Sequence, residues 1–144
     1  MKMTKKQYQQ YAESKADKSK LWLDMFNAFW IGGLICMIGQ FFLNTYMNLN
    51  FDKEIAGTLT SITLVFASAL LTGLNVYDNI AKKAGAGTLV PITGFANAVV
   101  SPAMEFKNEG YVMGVAANIF KIAGPVITYG IIASVLSGII YLFL

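Results

Sequence analysis

Most of this chain carries no charge, and that restricts the folds open to it. Only 13% of its 144 residues are charged, 11 lysines and 8 acidic residues, whereas a soluble domain has about 25% charged residues. A run of about 20 apolar residues is long enough to cross the hydrocarbon core of a bilayer as a helix. We therefore expect an all-α, polytopic membrane protein that lies in the lipid bilayer. The charge-free runs are Met25–Tyr46, Ile55–Tyr77, Ala84–Met104, Gly110–Phe120 and Ile122–Leu144.

The composition also argues against several kinds of site. The sequence contains no histidine, so a haem site, a zinc site or an imidazole proton relay is not expected. Its single cysteine, Cys36, cannot form a disulfide within the chain. The sequence has neither a nucleophile–base pair nor a phosphate-binding loop, and its basic and aromatic residues are not interleaved as in a nucleic-acid surface. We expect no enzymatic activity, no cofactor or metal, and no nucleic-acid partner.

The chain divides into a polar head and an apolar remainder. Residues 1–24 form the head and include six lysines, a bias that favours a cytoplasmic N-terminus. Residues 25–144 form the transmembrane helical domain, in which we predict about four hydrophobic segments. These are a first span over Met25–Tyr46, a second over Thr58–Tyr77 after a loop at Asn48–Glu54, a third at 84–104, and a last run over Tyr111–Leu144 that becomes a full crossing from about Phe120.

The third segment is uncharged but interrupted by helix breakers, namely Gly85, Gly87, Gly94, Pro91 and Pro102. Backbone groups freed by such residues are tolerated at membrane depth only where protein buries them or a watery cavity lines them. We therefore predict that this segment is broken or re-entrant and belongs to a transport or channel protein. If it crosses fully, both termini are cytoplasmic, whereas if it turns back, the C-terminus lies outside.

The middle of the third segment offers contacts to a solute. Pro91 suits the first turn of a new half-helix, whose free N–H groups favour anions. Thr88, Thr93 and Asn97 supply side-chain contacts nearby. On this interpretation the segment is the constriction or gate of a solute pathway. The alternative is a kinked helix whose glycines serve close packing alone.

Lys121 is the one charge in the last apolar run. Asn118, Lys121, Pro125 and Thr128 are spaced by three, four and three residues, which places them on one helix face. Pro125 cannot donate a hydrogen bond to the carbonyl of Lys121, so that carbonyl is freed as well. This face suits an anionic or polar solute. The alternative is that Lys121 lies near an interface and extends into water, while the other residues serve helix packing.

Two carboxylates, Glu105 and Glu109, follow the broken segment closely. They can bind a cation, pair with Lys107 or Lys121, or remain solvated loop charges. Glu105 is the stronger candidate for the pathway because it lies next to the apolar run. In the second span, a further polar stripe at helical spacing consists of Ser61, Ser68, Thr72 and Asn75.

Three strings of residues resemble a known family. Gly32–Gln40 (GGLICMIGQ), Gly85–Asn97 (GAGTLVPITGFAN) and Met104–Gly110 (MEFKNEG) are similar to strings of the stage V sporulation protein A membrane proteins. The resemblance covers nearly the whole chain. It implies a protein of the inner forespore membrane in endospore-forming bacteria, which takes up dipicolinic acid, with calcium, during sporulation and releases it in germination.

The same resemblance implies a channel that opens under membrane tension. It implies as partners a membrane paralogue of the AE type and a soluble, thiolase-like protein of the AD type. Because four short segments are few for enclosing a pore, a homo- or hetero-oligomer is expected. The alternative function is a non-conducting membrane scaffold that docks soluble proteins.

Overall fold

The computed structural model describes residues 4, 5, 8, 9, 11 and 20–144, so most of the predicted polar head lies outside the described residues. Within the described part, every regular element is helical. Three helical stretches there are long and apolar enough to cross a membrane, which confirms the predicted all-α, polytopic membrane class. The elements are α1 (Leu21–Asn48), α2 (Lys53–Gly73), α3 (Tyr77–Ala84), α4 (Ala86–Leu89), α5 (Ile92–Glu105), a 3-10 turn (Phe106–Glu109), a π turn (Tyr111–Ala116) and α6 (Ala117–Phe143).

The first two spans begin earlier than the charge-free runs suggest. α1 begins at Leu21 rather than Met25, so the last residues of the predicted head belong to this helix. α2 begins at Lys53 rather than Thr58, because a charged pair is tolerated in a first helical turn, where Glu54 complements the helix dipole. The predicted loop at Asn48–Glu54 is therefore shorter than expected.

Asparagines in the left-handed region follow both of these helices. Asn50 has a φ of 64° and Asn75 a φ of 58°, a conformation that asparagine adopts more readily than most residues. After Asn75, the N–H of Val76 donates to the carbonyl of Leu71 at 2.9 Å, which closes α2 in a Schellman-type turn. This turn ends the second span at Gly73, before the predicted Tyr77.

The last apolar run is one continuous helical stretch from Tyr111 to Phe143. It begins as the π turn and continues as α6, so the helical stretch starts about nine residues before Phe120, where the full crossing was predicted to begin. We call the end of the molecule at which α1 begins the proximal end and the opposite end the distal end. The run starts at the proximal end, because Gly114 packs against Phe106 and Glu109 just after α5.

The third segment, predicted at 84–104, is broken as predicted: it consists of α4 and α5, and the short helix α3 leads into it. Ser68 of α2 bonds to Thr93 of α5, and Thr72 bonds to Asn97. From the first of these hydrogen bonds to the second, the residue number rises by four on both helices, so α5 runs parallel to α2. The chain therefore leaves α2 at the proximal end, turns inward through α3 and α4, and returns to the proximal end along α5. Of the two paths left open, the structure has the re-entrant one, and we call α3–α5 the hairpin.

The hairpin packs on α1 through glycine. A Cβ placed on Gly87 would collide with the backbone of Ala28, and one placed on Gly32 would lie 3.3 Å from the Cα of Gly87. Small residues that let backbones approach are the usual means of helix packing in membranes. Gly85 makes the turn between α3 and α4, with a φ of 50° that favours glycine.

Candidate functional site

Six polar side chains join the hairpin to α2, and we call them the polar seam. Five of the six are buried, and one, Asn97, is half-buried. Polar groups removed from water need hydrogen-bond partners, and each member of the seam has at least one. The members are Ser68, Thr72, Tyr77, Thr88, Thr93 and Asn97.

The α2 half of the seam holds the start of α5. The Ser68 hydroxyl donates to the Thr93 carbonyl at 2.6 Å. The Thr72 hydroxyl lies 2.8 Å from the Ser68 carbonyl and 2.9 Å from Oδ1 of Asn97. Asn97 therefore joins α5 to α2 through its side-chain amide.

Tyr77 forms the other half of the seam. Its hydroxyl donates to the Thr88 carbonyl at 2.9 Å and lies 3.0 Å from Oγ1 of Thr93. The Thr88 hydroxyl in turn donates to the Gly85 carbonyl at 3.1 Å. Tyr77 therefore ties together the two arms of the hairpin at the point where its backbone is least regular.

Replacing Tyr77 with phenylalanine should destabilise the protein by about 1–3 kcal/mol, because the buried Thr88 carbonyl would lose its donor. The thermal midpoint of the purified protein in detergent measures this loss. The matched control is Tyr129→Phe in α6, since that side chain is largely exposed. Equal midpoints for the two variants would contradict the structural role given to Tyr77.

A cavity of about 400 Å³ lies between the hairpin and α6. Its polar wall comes mainly from Asn97 and Ser101, and Ile122 of α6 closes it on the other side. Ala98 also lines it, and Pro102 denies the Ala98 carbonyl its usual i+4 donor because proline has no N–H. The wall thus offers an amide, a hydroxyl and a carbonyl, and the volume falls within the roughly 300–1,000 Å³ of ligand pockets.

A second cavity, of about 330 Å³, lies at the proximal end of α2 and α5. Asp78 and Glu105 line it, together with Thr72 and Ser101. The two cavities meet at the seam, because Ser101 lines both and the Thr72–Asn97 hydrogen bond joins a residue of each. We call this proximal space the acidic cavity and the larger one the solute cavity.

The structure distributes the predicted site residues in and just after the third segment over several settings. Gly85, Thr88, Gly94 and Asn97 line the solute cavity. Gly87 packs on α1, and Thr93 belongs to the seam. Pro91 precedes the first residue of α5, with a φ of −65°, so a half-helix does begin there. Glu105 lies in the acidic cavity instead.

The structure separates the four residues of the predicted α6 stripe. Asn118 is buried and donates through Nδ2 to the Gly114 carbonyl at 2.6 Å, while its Oδ1 has no hydrogen-bond partner. The Lys121 ammonium lies 5.3 Å from the centre of the Phe106 ring, a cation–π contact. Pro125 and Thr128 are exposed, and Thr128 bonds to its own helix at Gly124. None of the four lines the solute cavity.

Sequence reasoning missed three polar residues that line the cavities, namely Tyr77, Asp78 and Ser101. The spacing between Asp78 and Glu105 in the sequence does not predict that they share a cavity, because only the reversal of the chain in the hairpin brings them together. Ser101 lies one turn after Asn97 on α5, and this i+4 spacing is the pattern by which it could have been found.

The family model for the SpoVAC/SpoVAEB sporulation membrane proteins matches residues 24–140, which include α2, the hairpin and most of α6. The chain belongs to this family. This SpoVAC/SpoVAEB family member is 52% identical over 114 residues to the stage V sporulation protein AC of Bacillus subtilis (strain 168). The matched region covers 78% of this chain and 76% of that protein. No solved structure matches the family member. The resemblance read from the three strings is therefore confirmed, and the chain is a sporulation membrane protein.

Proposed function

We propose that the chain is a subunit of a membrane pathway for dipicolinic acid in the inner forespore membrane, which serves uptake during sporulation and release during germination. The observation that carries the proposal is the solute cavity, held between a re-entrant hairpin and α6. Irregular backbone at membrane depth requires burial in protein or contact with water. The hairpin meets this requirement with the seam on one side and a partly polar cavity on the other.

Electrostatics supports the calcium chelate as the transported species. Dipicolinate is a dianion, and none of the lysines that the structure describes lines either cavity. Asp78 and Glu105 make the proximal cavity negative, which disfavours a free dianion and favours a cation. A one-to-one complex of Ca²⁺ and dipicolinate has no net charge. It can therefore pass the carboxylates and then hydrogen-bond to the neutral wall of the solute cavity.

Neutralising the acidic cavity should make flux less dependent on calcium. For the double variant Asp78→Asn and Glu105→Gln, we expect calcium-dependent dipicolinate flux to fall about tenfold. The negative cavity concentrates Ca²⁺ by about that factor or more, and on this proposal the dianion must pair with Ca²⁺ before it passes the carboxylates. The measurement is flux into proteoliposomes that hold the chain and its membrane paralogue, with and without Ca²⁺. Glu54→Gln, at the other end of α2, is the control. An unchanged calcium dependence would contradict the role of these carboxylates.

The described part of a single chain does not enclose a pore on its own. From Pro125 to Phe143 every residue of α6 is exposed, and the cavities lie near one end of the molecule. We propose that further copies or a membrane paralogue of the AE type complete the route, and that the soluble AD-type protein docks on the assembly. Membrane tension is the proposed stimulus, because the hairpin is bonded to one spanning helix and packed against another.

Reconstitution separates this proposal from the scaffold function. We expect dipicolinate flux or tension-evoked conductance in liposomes that contain the chain together with its paralogue. A tension-gated pore would conduct without added ligand, whereas a carrier would show saturable flux. No flux and no conductance under any of these conditions would favour a non-conducting scaffold.

A further inference from the structure

An apolar cleft of about 210 Å³ separates α1 from α2 on the side of the hairpin away from the solute cavity. Ile31, Ile35 and Ile38 of α1 face Leu64 and Leu71 of α2 across it. These residues recur at helical spacing, so the two stripes would ordinarily interlock. Protein interiors are close-packed, and an empty space of this size forfeits many van der Waals contacts. A ligand that fills the cleft would therefore restore these contacts.

Water is a poor occupant of this cleft. The polar groups at its floor, which include the hydroxyls of Ser68 and Tyr77, are turned toward seam partners rather than into the cleft. A buried water needs two to four polar partners, and apolar cavities stay dry without them. The occupant is therefore apolar where it meets the cleft.

The surroundings of the cleft point to a lipid chain. α1 and α2 are both long and apolar enough to cross the membrane, and Leu34 and Ile38 at the rim are each 42% exposed. The cleft thus opens toward the hydrocarbon core. From Ile31 to Ile38 it extends for about 10 Å along α1, which suits part of one acyl chain.

Positive charge lies at the proximal edge of the cleft. Ile80 of α3 lines the cleft, and Lys83 follows it by one helical turn. Lys82 and Lys83 are both exposed. Within the described part of the chain, neither lysine side chain has a hydrogen-bond or ion-pair partner. Among the described residues, the acidic groups at this end are Asp24 in the first turn of α1, Asp78 and Glu105 in the acidic cavity, and Glu109 in the turn after α5. We propose that the cleft binds one acyl chain of an anionic phospholipid, whose headgroup phosphate is held by Lys82 and Lys83.

The proposed lipid would support the hairpin from behind. Tyr77 and Thr88 line the cleft on one side and the solute cavity on the other. Loss of the acyl chain would therefore remove the packing that supports these two seam residues from the side of the cleft. This consequence rests on the proposed function, whereas lipid binding itself does not and is measured without any solute.

Native mass spectrometry of the full chain, titrated with phosphatidylglycerol or phosphatidylcholine after delipidation, tests the site. We expect one tightly bound phosphatidylglycerol per chain and weaker phosphatidylcholine. Ala67→Phe, which fills the cleft, should abolish this tight binding. The double variant Lys82→Gln and Lys83→Gln should lose the preference for phosphatidylglycerol by about tenfold and still bind lipid, whereas Lys53→Gln at the distal end should keep that preference.

Two results would overturn the proposal. One is an unchanged lipid count and preference in both the cleft and the lysine variants. The other is a changed oligomeric mass for Ala67→Phe without any change in lipid binding, which would assign the cleft to a protein partner. If Ala67→Phe does not fold, the lysine variants decide alone, because both side chains are exposed and their loss leaves the packing intact.

Discussion

Alanine at Gly87 should detach the hairpin from α1 and lower the stability of the protein by about 3 kcal/mol, the upper part of the range for overpacking. The new Cβ would collide with the Ala28 carbonyl, and backbone atoms cannot move aside as a flexible side chain can. The thermal midpoint in detergent, followed by fluorescence-detected size exclusion, measures the effect.

Gly33→Ala is the matched control for this variant. Gly33 lies on α1 next to Gly32, but a Cβ there meets nothing within 4 Å. Because alanine is the better helix former by about 1 kcal/mol, this variant should be at least as stable as the parent. If Gly87→Ala had the same thermal midpoint as Gly33→Ala, the close contact described between the hairpin and α1 would be contradicted.

Replacing Asn97 with leucine should reduce dipicolinate accumulation in spores up to about tenfold, the effect of losing one hydrogen bond between neutral partners of about 1.4 kcal/mol. Leucine would also place an apolar side chain in the wall of the solute cavity. The fold should persist, because the Thr72 hydroxyl keeps its bond to the Ser68 carbonyl. The measurement is dipicolinate per spore in a strain that carries only the variant, normalised to the amount of protein.

Lys121→Ala provides the comparison within the same experiment. Lys121 was predicted to meet the solute, but it lies over Phe106 and does not line the solute cavity. We therefore expect accumulation close to that of the parent. A loss with Lys121→Ala equal to that with Asn97→Leu would place the route along α6 rather than through the cavity. Normal accumulation in both variants would remove the cavity from the route.

The sequence alone was sufficient for the class of fold and for the break in the third segment. Both follow from composition, since long charge-free runs dictate membrane helices and Gly85 and Pro91 interrupt a helix wherever it lies. The polar stripe of α2 was also visible as a face. What its members bond to was not, because Ser68 and Thr72 find partners on a hairpin that returns from 25 residues further along the chain.

Depth in the membrane was the quantity that sequence could not provide. Residue spacing placed Lys121 on a polar stripe, but spacing does not show what a long side chain reaches. The helical stretch begins at Tyr111, and the Lys121 ammonium lies over the ring of Phe106, the first residue of the turn that follows α5. The acidic cavity could not be predicted from the sequence either, since only the reversal of the chain in the hairpin brings Asp78 and Glu105 together.

The parallel course of α2 and α5 gives the molecule a direction. The hairpin begins and ends at the proximal end, whereas the three stretches long enough to cross a membrane leave Leu21 and Phe143 at opposite ends of the molecule. The acidic cavity and the two lysines of α3 lie at the proximal end, and the exposed end of α6 is the distal one. On the proposed function, a soluble protein at the proximal end would reach the mouth of the route directly, whereas one at the distal end would act only through the membrane-embedded part of the assembly. Control of the route would then be vectorial.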